Sequence, residues 1–147
     1  MKSSSQSKQP NCSTWQIDHV GIAVSDLDKA IVHYQQTTGA NPVQRESLAD
    51  QGIEIVFIEL PGSKVELLAP LNDQSTLARF IQKRGSGLHH VCYRVENLHA
   101  ELQRLRESGY QLIDDIPRPG AGNTLIAFIH PSSCHGVLTE ICEYSAS

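Results

Sequence analysis

The chain has 147 residues, with 12 Lys and Arg against 16 Asp and Glu, a formal net charge of −4, 39% apolar and 19% charged residues. That size predicts one domain of ordinary dimensions, with a core that needs no covalent staples. The acidic balance argues against a nucleic-acid partner, and no run of about 18 apolar residues exists to span a membrane.

Residues 1–14, MKSSSQSKQPNCST, are polar and read as a disordered tail, with neither the apolar centre of a secretory signal nor the arginines of a transit peptide. Residues 15–24 alternate as a strand, with Val20, Ile22 and Val24 on one side and Ile17, His19, Gly21 and Ala23 on the other. Ser25 or Asp26 can N-cap a helix in which Leu27, Ile31 and Tyr34 recur at helical spacing as far as Gly39. Residues 39–51 are expected to hold a short edge strand, residues 53–60 a strand, 61–63 a turn and 64–69 the returning strand. In the second half, residues 88–95 read as a strand and 98–107 as a helix ending near Gly109. A short edge strand is expected within 110–117, a Gly-rich loop at 120–123, and a hairpin of 124–130 and 136–142 about residues 131–135. Strands and helices mix without βαβ regularity, so the class is α+β.

The two halves repeat. IDHVGIAVSDL (17–27) and LHHVCYRVENL (88–98) match at an offset of 71 residues, pairing His19 with His90, Val20 with Val91, Val24 with Val95 and Leu27 with Leu98. The same offset pairs Phe57 with Phe128 and Ile58 with Ile129; after a longer turn in the second copy, VEL (65–67) matches TEI (139–141). A single domain over 15–145 is therefore expected to contain two tandem βαβββ modules, at about 15–70 and 86–145, forming a curved mixed sheet. Each copy carries a His near its start and a Glu near its end.

Strand parity puts His19 beside the small Gly21 and Ala23, and His90 beside Leu88, Cys92 and Arg94. Glu66 and Glu140 sit mid-strand between apolar neighbours, where an uncompensated carboxylate is costly. A lone strand His is more often a hydrogen-bonded core residue than a ligand, and a lone strand Glu is usually solvated or ion-paired. Duplication of the His and Glu pair shifts that balance, because two copies packed about a pseudo-twofold axis bring matched positions together. One divalent cation held by His19, Glu66, His90 and Glu140 would compensate both carboxylates. Two imidazoles and two carboxylates without thiolate suit Co, Ni, Mn, Fe or Zn. A catalytic centre would leave one or two coordination positions to water or substrate.

Weaker candidates surround this set. His89 faces away from His90 by parity, which predicts a packing or supporting role. Cys134-His135 lies in a turn, and PRPGAGN (117–123) lacks the Lys-Ser/Thr of a phosphate loop and reads as a flexible loop facing substrate. Lys83-Arg84 reads as a solvated surface pair. Cys12, Cys92, Cys134 and Cys142 form no CxxC and read as reduced thiols of a cytoplasmic protein.

These residues resemble the vicinal oxygen chelate (glyoxalase/bleomycin resistance/dioxygenase) superfamily, whose members pair βαβββ modules around one metal. Within it the chain is similar to the methylmalonyl-CoA epimerase family. The stretches that carry the likeness are IDHVGIAVSDLDKA (17–30), VELLAPLNDQST (65–76), GLHHVCYRV (87–95) and RPGAGNTLIAFIHPSSCHGVLTE (118–140). The resemblance implies metal ligands at His19, Glu66, His90 and Glu140, cobalt as the usual ion with Ni, Mn or Zn as alternatives, and Glu140 doubling as a proton carrier. It implies epimerisation of (2R)/(2S)-methylmalonyl-CoA by 1,1-proton transfer through a metal-stabilised enolate, an acyl-CoA partner and a homodimer. Some members place a second catalytic Glu three residues after the Gly that opens the third strand; here Ile55 holds that place. Glu54 is one residue off and would reach the site only through a local bulge. Two other readings share the site: a glyoxalase I-like isomerase acting on a glutathione hemithioacetal, and a non-enzymatic small-molecule-binding module.

Overall fold

A computed structural model of the protein describes residues 13–146, so most of the expected 1–14 tail and Cys12 lie outside the described residues. The chain runs β1 (Gln16–Ala23), α1 (Leu27–Thr38), β2 (Pro42–Leu48), β3 (Ile53–Leu60), β4 (Ser63–Pro70), α2 (Thr76–Arg84), β5 (Gly87–Arg94), α3 (Leu98–Glu107), β6 (Arg118–Pro119), β7 (Thr124–Ile129) and β8 (Thr139–Tyr144). The repeat extends to the helix caps. Asp26 accepts from the Lys29 amide at 3.1 Å to open α1, and Asn97 accepts from the Ala100 amide at 3.0 Å to open α3. Gly39, at φ 76°, closes α1 in the left-handed conformation that glycine adopts without strain.

All eight strands form one curled mixed sheet in the order β2-β3-β4-β1-β5-β8-β7-β6. That order is symmetric about its centre. Each half pairs its first strand with its last in parallel, β1 with β4 and β5 with β8, and the halves join through the antiparallel pair β1/β5. The α+β reading of two tandem modules is what the topology shows.

One face of each half packs a helix. Leu27 and Ile31 of α1 lie against Val56, Ile58 and Leu67, while Leu98, Leu102 and Leu105 of α3 lie against Ala127, Ile129 and Ile141. On β3 the alternate residues Ile53, Ile55 and Phe57 turn to the other, concave face, where they meet Leu68 and Leu77.

Helix α2 is not among the expected elements; Ser75 caps it by accepting from the Ala78 amide at 3.0 Å, and Leu77 and Ala78 are buried. Two local expectations need correction. The second edge strand is not within 110–117. Leu112 makes an isolated bridge to Ile129, the Asp114 carboxylate takes the Phe128 amide at 2.8 Å, and pairing resumes only at Arg118–Pro119. The last strand starts at Thr139 rather than Gly136, after a 3₁₀ turn at Pro131–Ser133.

The two cap and core roles separate by size. Leu102→Ala, at a fully packed position of α3, is expected to lower stability by about 2–5 kcal/mol. Asn97→Ala, which removes one cap, should cost only about 1 kcal/mol. Urea denaturation followed by circular dichroism reads both.

Candidate metal centre

The ligand set is placed by four neighbouring strands. His19 stands on β1, Glu66 on β4, His90 on β5 and Glu140 on β8, and Gly21 is the register partner of both Glu66 and His90. A Cβ at Gly21 would overlap the His90 ring, meeting Cε1, Nδ1 and Nε2, so only glycine lets that imidazole cross the seam. The four side chains are buried, from 2% exposed for His90 to 6% for the two glutamates. His19 Nε2 lies 3.2 Å from Glu140 Oε1 and 3.5 Å from Glu66 Oε1; His90 Nε2 lies 3.0 and 3.2 Å from the same two oxygens. The two Nε2 atoms are themselves 3.2 Å apart.

Four donors therefore converge, with one ligand atom from each lying within 4.8 Å of the others. Nitrogen and carboxylate oxygen with no sulfur suit a borderline divalent ion, and two buried carboxylates need positive charge between them. The residues present fit such an ion. Without one, protons fill the role. Burial opposes charge on His19, but hydrogen bonds to Asp18, Glu140 and Glu66 outweigh it and push His19 up to about 12. The same contest raises His90 to about 9, against burial and through Glu140 and Glu66. Burial would raise Glu140, yet its bonds to His19 and His90 hold it down at about 2, and Glu66 is lowered for the same reason.

Each ligand imidazole is held at its far nitrogen by the residue before it. Asp18 Oδ2 lies 2.7 Å from His19 Nδ1, while Asp18 Oδ1 accepts from the Tyr144 hydroxyl at 2.8 Å. That fixes the tautomer that leaves Nε2 free to ligate. His89 Nδ1 lies 2.9 Å from His90 Nδ1. Strand parity had His89 facing away, but a register shift between Gly21/His90 and Ile22/Leu88 leaves His89 as a bulge and turns it into the cavity. Burial, and then the neighbouring His90, lower His89 to about 4, so it stays neutral and can accept from His90.

The cluster opens on a cavity of about 470 Å³ whose walls include Ile53, Phe57, Leu68, Leu77, Ile126 and Phe128. The Gly-rich loop does face this cavity, through Gly120, Ala121, Gly122 and Asn123. Glu54 does not. β3 pairs with β4 without interruption, so no bulge turns Glu54 inward; it bonds Arg45 Nε at 2.8 Å, and Arg45 reaches Asp28 at 2.8 Å. Ile55 is wholly buried in the core. The irregularity sits instead on β2 between Val43 and Glu46, where Gln44 takes φ 57° and lines the cavity.

Sequence reasoning passed over Asp18, Lys64 and Tyr144, which form one hydrogen-bonded group beside the centre. Parity could have found two of them, because Lys64 shares a strand face with Glu66, and Tyr144 with Glu140. Among the described cysteines, Cys92, Cys134 and Cys142 are free thiols. No described helix is long and apolar enough to cross a membrane.

The fold and the donor set define a class. The profile of the Glyoxalase/Bleomycin resistance protein/Dioxygenase superfamily matches residues 18–128, and the chain belongs to that superfamily. Within it the chain belongs to the methylmalonyl-CoA epimerase family and is an isomerase. It is 39% identical over 127 residues to the ethylmalonyl-CoA/methylmalonyl-CoA epimerase of Cereibacter sphaeroides, covering 85% of this chain and 95% of that one. The crystal structure of methylmalonyl-CoA epimerase from Mycobacterium tuberculosis superposes with a TM-score of 0.85 at 41% identity, over 89% of each chain. A methylmalonyl-CoA epimerase solved in complex with methylmalonyl-CoA and NH4+ gives a TM-score of 0.86 at 33% identity, over 91% of this chain and 97% of that one.

Two outcomes test the centre without turnover. Gly21→Ala should displace the His90 ring and weaken binding of Co²⁺ at least tenfold by calorimetry. Binding at pH 7.5 should release about two protons, because both imidazoles are charged in the metal-free protein. The sign follows from raised pKa values: stability from the charged imidazoles is full below 6.5 and lost as pH rises through about 9 and then about 12. Metal affinity should therefore climb steeply with pH up to about 9 and more gently from there toward about 12. Titrations in two buffers of different ionisation heat measure the proton count.

Proposed function

We propose that the protein epimerises methylmalonyl-CoA at C2, at a divalent-metal centre held by His19, Glu66, His90 and Glu140. The observation that carries this reading is the buried cluster of two His and two Glu opening on one cavity, in a chain of the epimerase family. The C2 proton of that substrate lies between a thioester and a carboxylate, so its loss leaves a delocalised enolate. A bound ion, cobalt by resemblance to the family or else Ni, Mn or Zn, supplies Lewis-acid stabilisation for the negative charge developing on the substrate oxygens.

The chain's own residues do the rest. Asp18 and His89 hold His19 and His90 in fixed orientations, so the donor set need not reorganise during the reaction. Phe57, Leu68, Ile126 and Phe128 exclude water from the cavity wall and strengthen the local electrostatics. Glu140 carries the proton on one face of C2. Inversion needs a second carrier on the other face. Glu54 stands outside the cavity beside Arg45, Asp18 is bound to His19 and Tyr144, and Asp50 is exposed at the cavity rim; we assign that face to Glu66, the mate of Glu140 in the internal repeat. The working unit is read as a cytoplasmic homodimer by resemblance to the family, and sedimentation of the purified chain tests the assembly.

The decisive measurement follows one C2 epimer of methylmalonyl-CoA in D2O with cobalt-loaded protein. Deuterium incorporation with inversion is expected, and His90→Ala should abolish both. Glu140→Gln and Glu66→Gln should each slow epimerisation by roughly 10²–10⁴-fold. Each should also impair exchange from one epimer more than from the other. Absence of exchange in the metal-loaded wild type would sink the epimerase reading.

A further inference from the structure

Lys64 opens into the cavity from the start of β4, two residues before Glu66 and on the same strand face. Its Nζ donates to the Tyr144 hydroxyl at 2.6 Å and lies over two rings, 5.0 Å from the centroid of Phe57 and 5.1 Å from that of Tyr144. The Phe57 ring stands edge-on to His19, with centroids 5.6 Å apart. One aromatic ring thus separates the ammonium from the metal centre.

This cation makes no direct ion pair; its nearest anion, Asp18, acts on it at longer range and through the Tyr144 hydroxyl. Among the described residues no carboxylate lies within ion-pair distance of Lys64 Nζ, although an ammonium has three protons to donate. Asp18, on the paired strand, uses one oxygen for His19 and the other for Tyr144. The other strong cation of the cavity wall, Arg118, is committed to Asp114 at 3.0 Å. His89 is neutral. A divalent ion would balance Glu66 and Glu140, and the charge of Asp18 would remain. An anionic substrate approaching that centre therefore needs a positive group it can bond directly, and Lys64 is the strong cation of the wall that no carboxylate already bonds.

We propose that Lys64 recognises the carboxylate on C2 of the substrate and so restricts the site to 2-carboxyacyl thioesters. The assignment rests on the epimerase reading above. Tyr144 and the two rings aim the ammonium, so Lys64 discriminates by a directed charge-assisted hydrogen bond rather than by diffuse attraction. The phosphates of CoA are the other anions that an ammonium could bind, and the choice of ligands separates the two sources.

The test compares malonyl-CoA with propionyl-CoA, which share every phosphate and differ by one carboxylate. Calorimetric titration of cobalt-loaded wild type should show a preference for malonyl-CoA of roughly ten- to a hundredfold. Lys64→Met keeps the apolar stem; it should erase that preference while leaving propionyl-CoA affinity within about twofold. Lys64→Arg should keep most of the preference. With methylmalonyl-CoA as substrate, Lys64→Met should raise KM more than it lowers kcat. A retained preference in Lys64→Met, or equal weakening of both ligands, would overturn the assignment. Wild type that epimerises without any preference would overturn it alone. Wild type with neither turnover nor preference would take down the epimerase reading as well.

Discussion

Two carboxylates share one buried pocket, and the rest of the structure answers to that. Glu66 and Glu140 are each only 6% exposed, and each reaches both imidazoles. Isolated charges in such a place are too costly to persist, so positive charge must be supplied from within. Protons on His19 and His90 meet the need in the metal-free protein; a divalent ion would meet it through all four donors at once. The imidazole protons are therefore competitors of the metal as well as its substitutes. Folding and metal uptake draw on the same electrostatic demand.

The internal repeat explains how so costly a cluster is assembled with few residues. Each module contributes one His from its first strand and one Glu from its last, and those two strands are parallel neighbours. Joining the modules through β1/β5 then brings the two pairs together across a single seam. The seam is tight. Gly21 lies opposite both His90 and Glu66, where any side chain would fill the space of the imidazole. The matched capping residues Asp26 and Asn97 show the same doubling in the helices that cover each half.

Much of this was legible from residues, because strand periodicity and duplication are local signals. The strands 16–23, 53–60 and 87–94, the helices 27–38 and 98–107, and the convergence of His19, Glu66, His90 and Glu140 all follow from them. What escaped was irregularity and cross-strand pairing. Parity turned His89 away because parity assumes an unbroken ladder, and the bulge at that residue is set by register against β1. Glu54 invited the opposite error, a bulge imagined on β3, whereas the real one on β2 is fixed by Arg45 holding Glu54 and Asp28. Helix α2 was passed over because it lies between the repeats, where duplication gives no guide. Lys64 and Tyr144 come from different modules and meet only after the sheet has curled, so no spacing in one copy announces their contact.

The departures from symmetry then matter more than the symmetry. His19 is backed by a carboxylate and His90 by a neutral imidazole, although both supports occupy the position before the ligand. A charged support makes its imidazole the stronger donor and adds one negative charge on the first module's side. That same side carries Lys64, whose β1 neighbour in register is His19 itself. The extra anion and this cation thus stand together, joined through Tyr144 from the second module. A twofold centre treats both faces of a substrate alike, as interconversion of two epimers requires. On the proposed reading, its asymmetric surroundings give the substrate one way to lie, with its carboxylate toward Lys64. Equivalence in the reacting shell and bias in the shell behind it are therefore complementary demands, and duplication followed by divergence satisfies both.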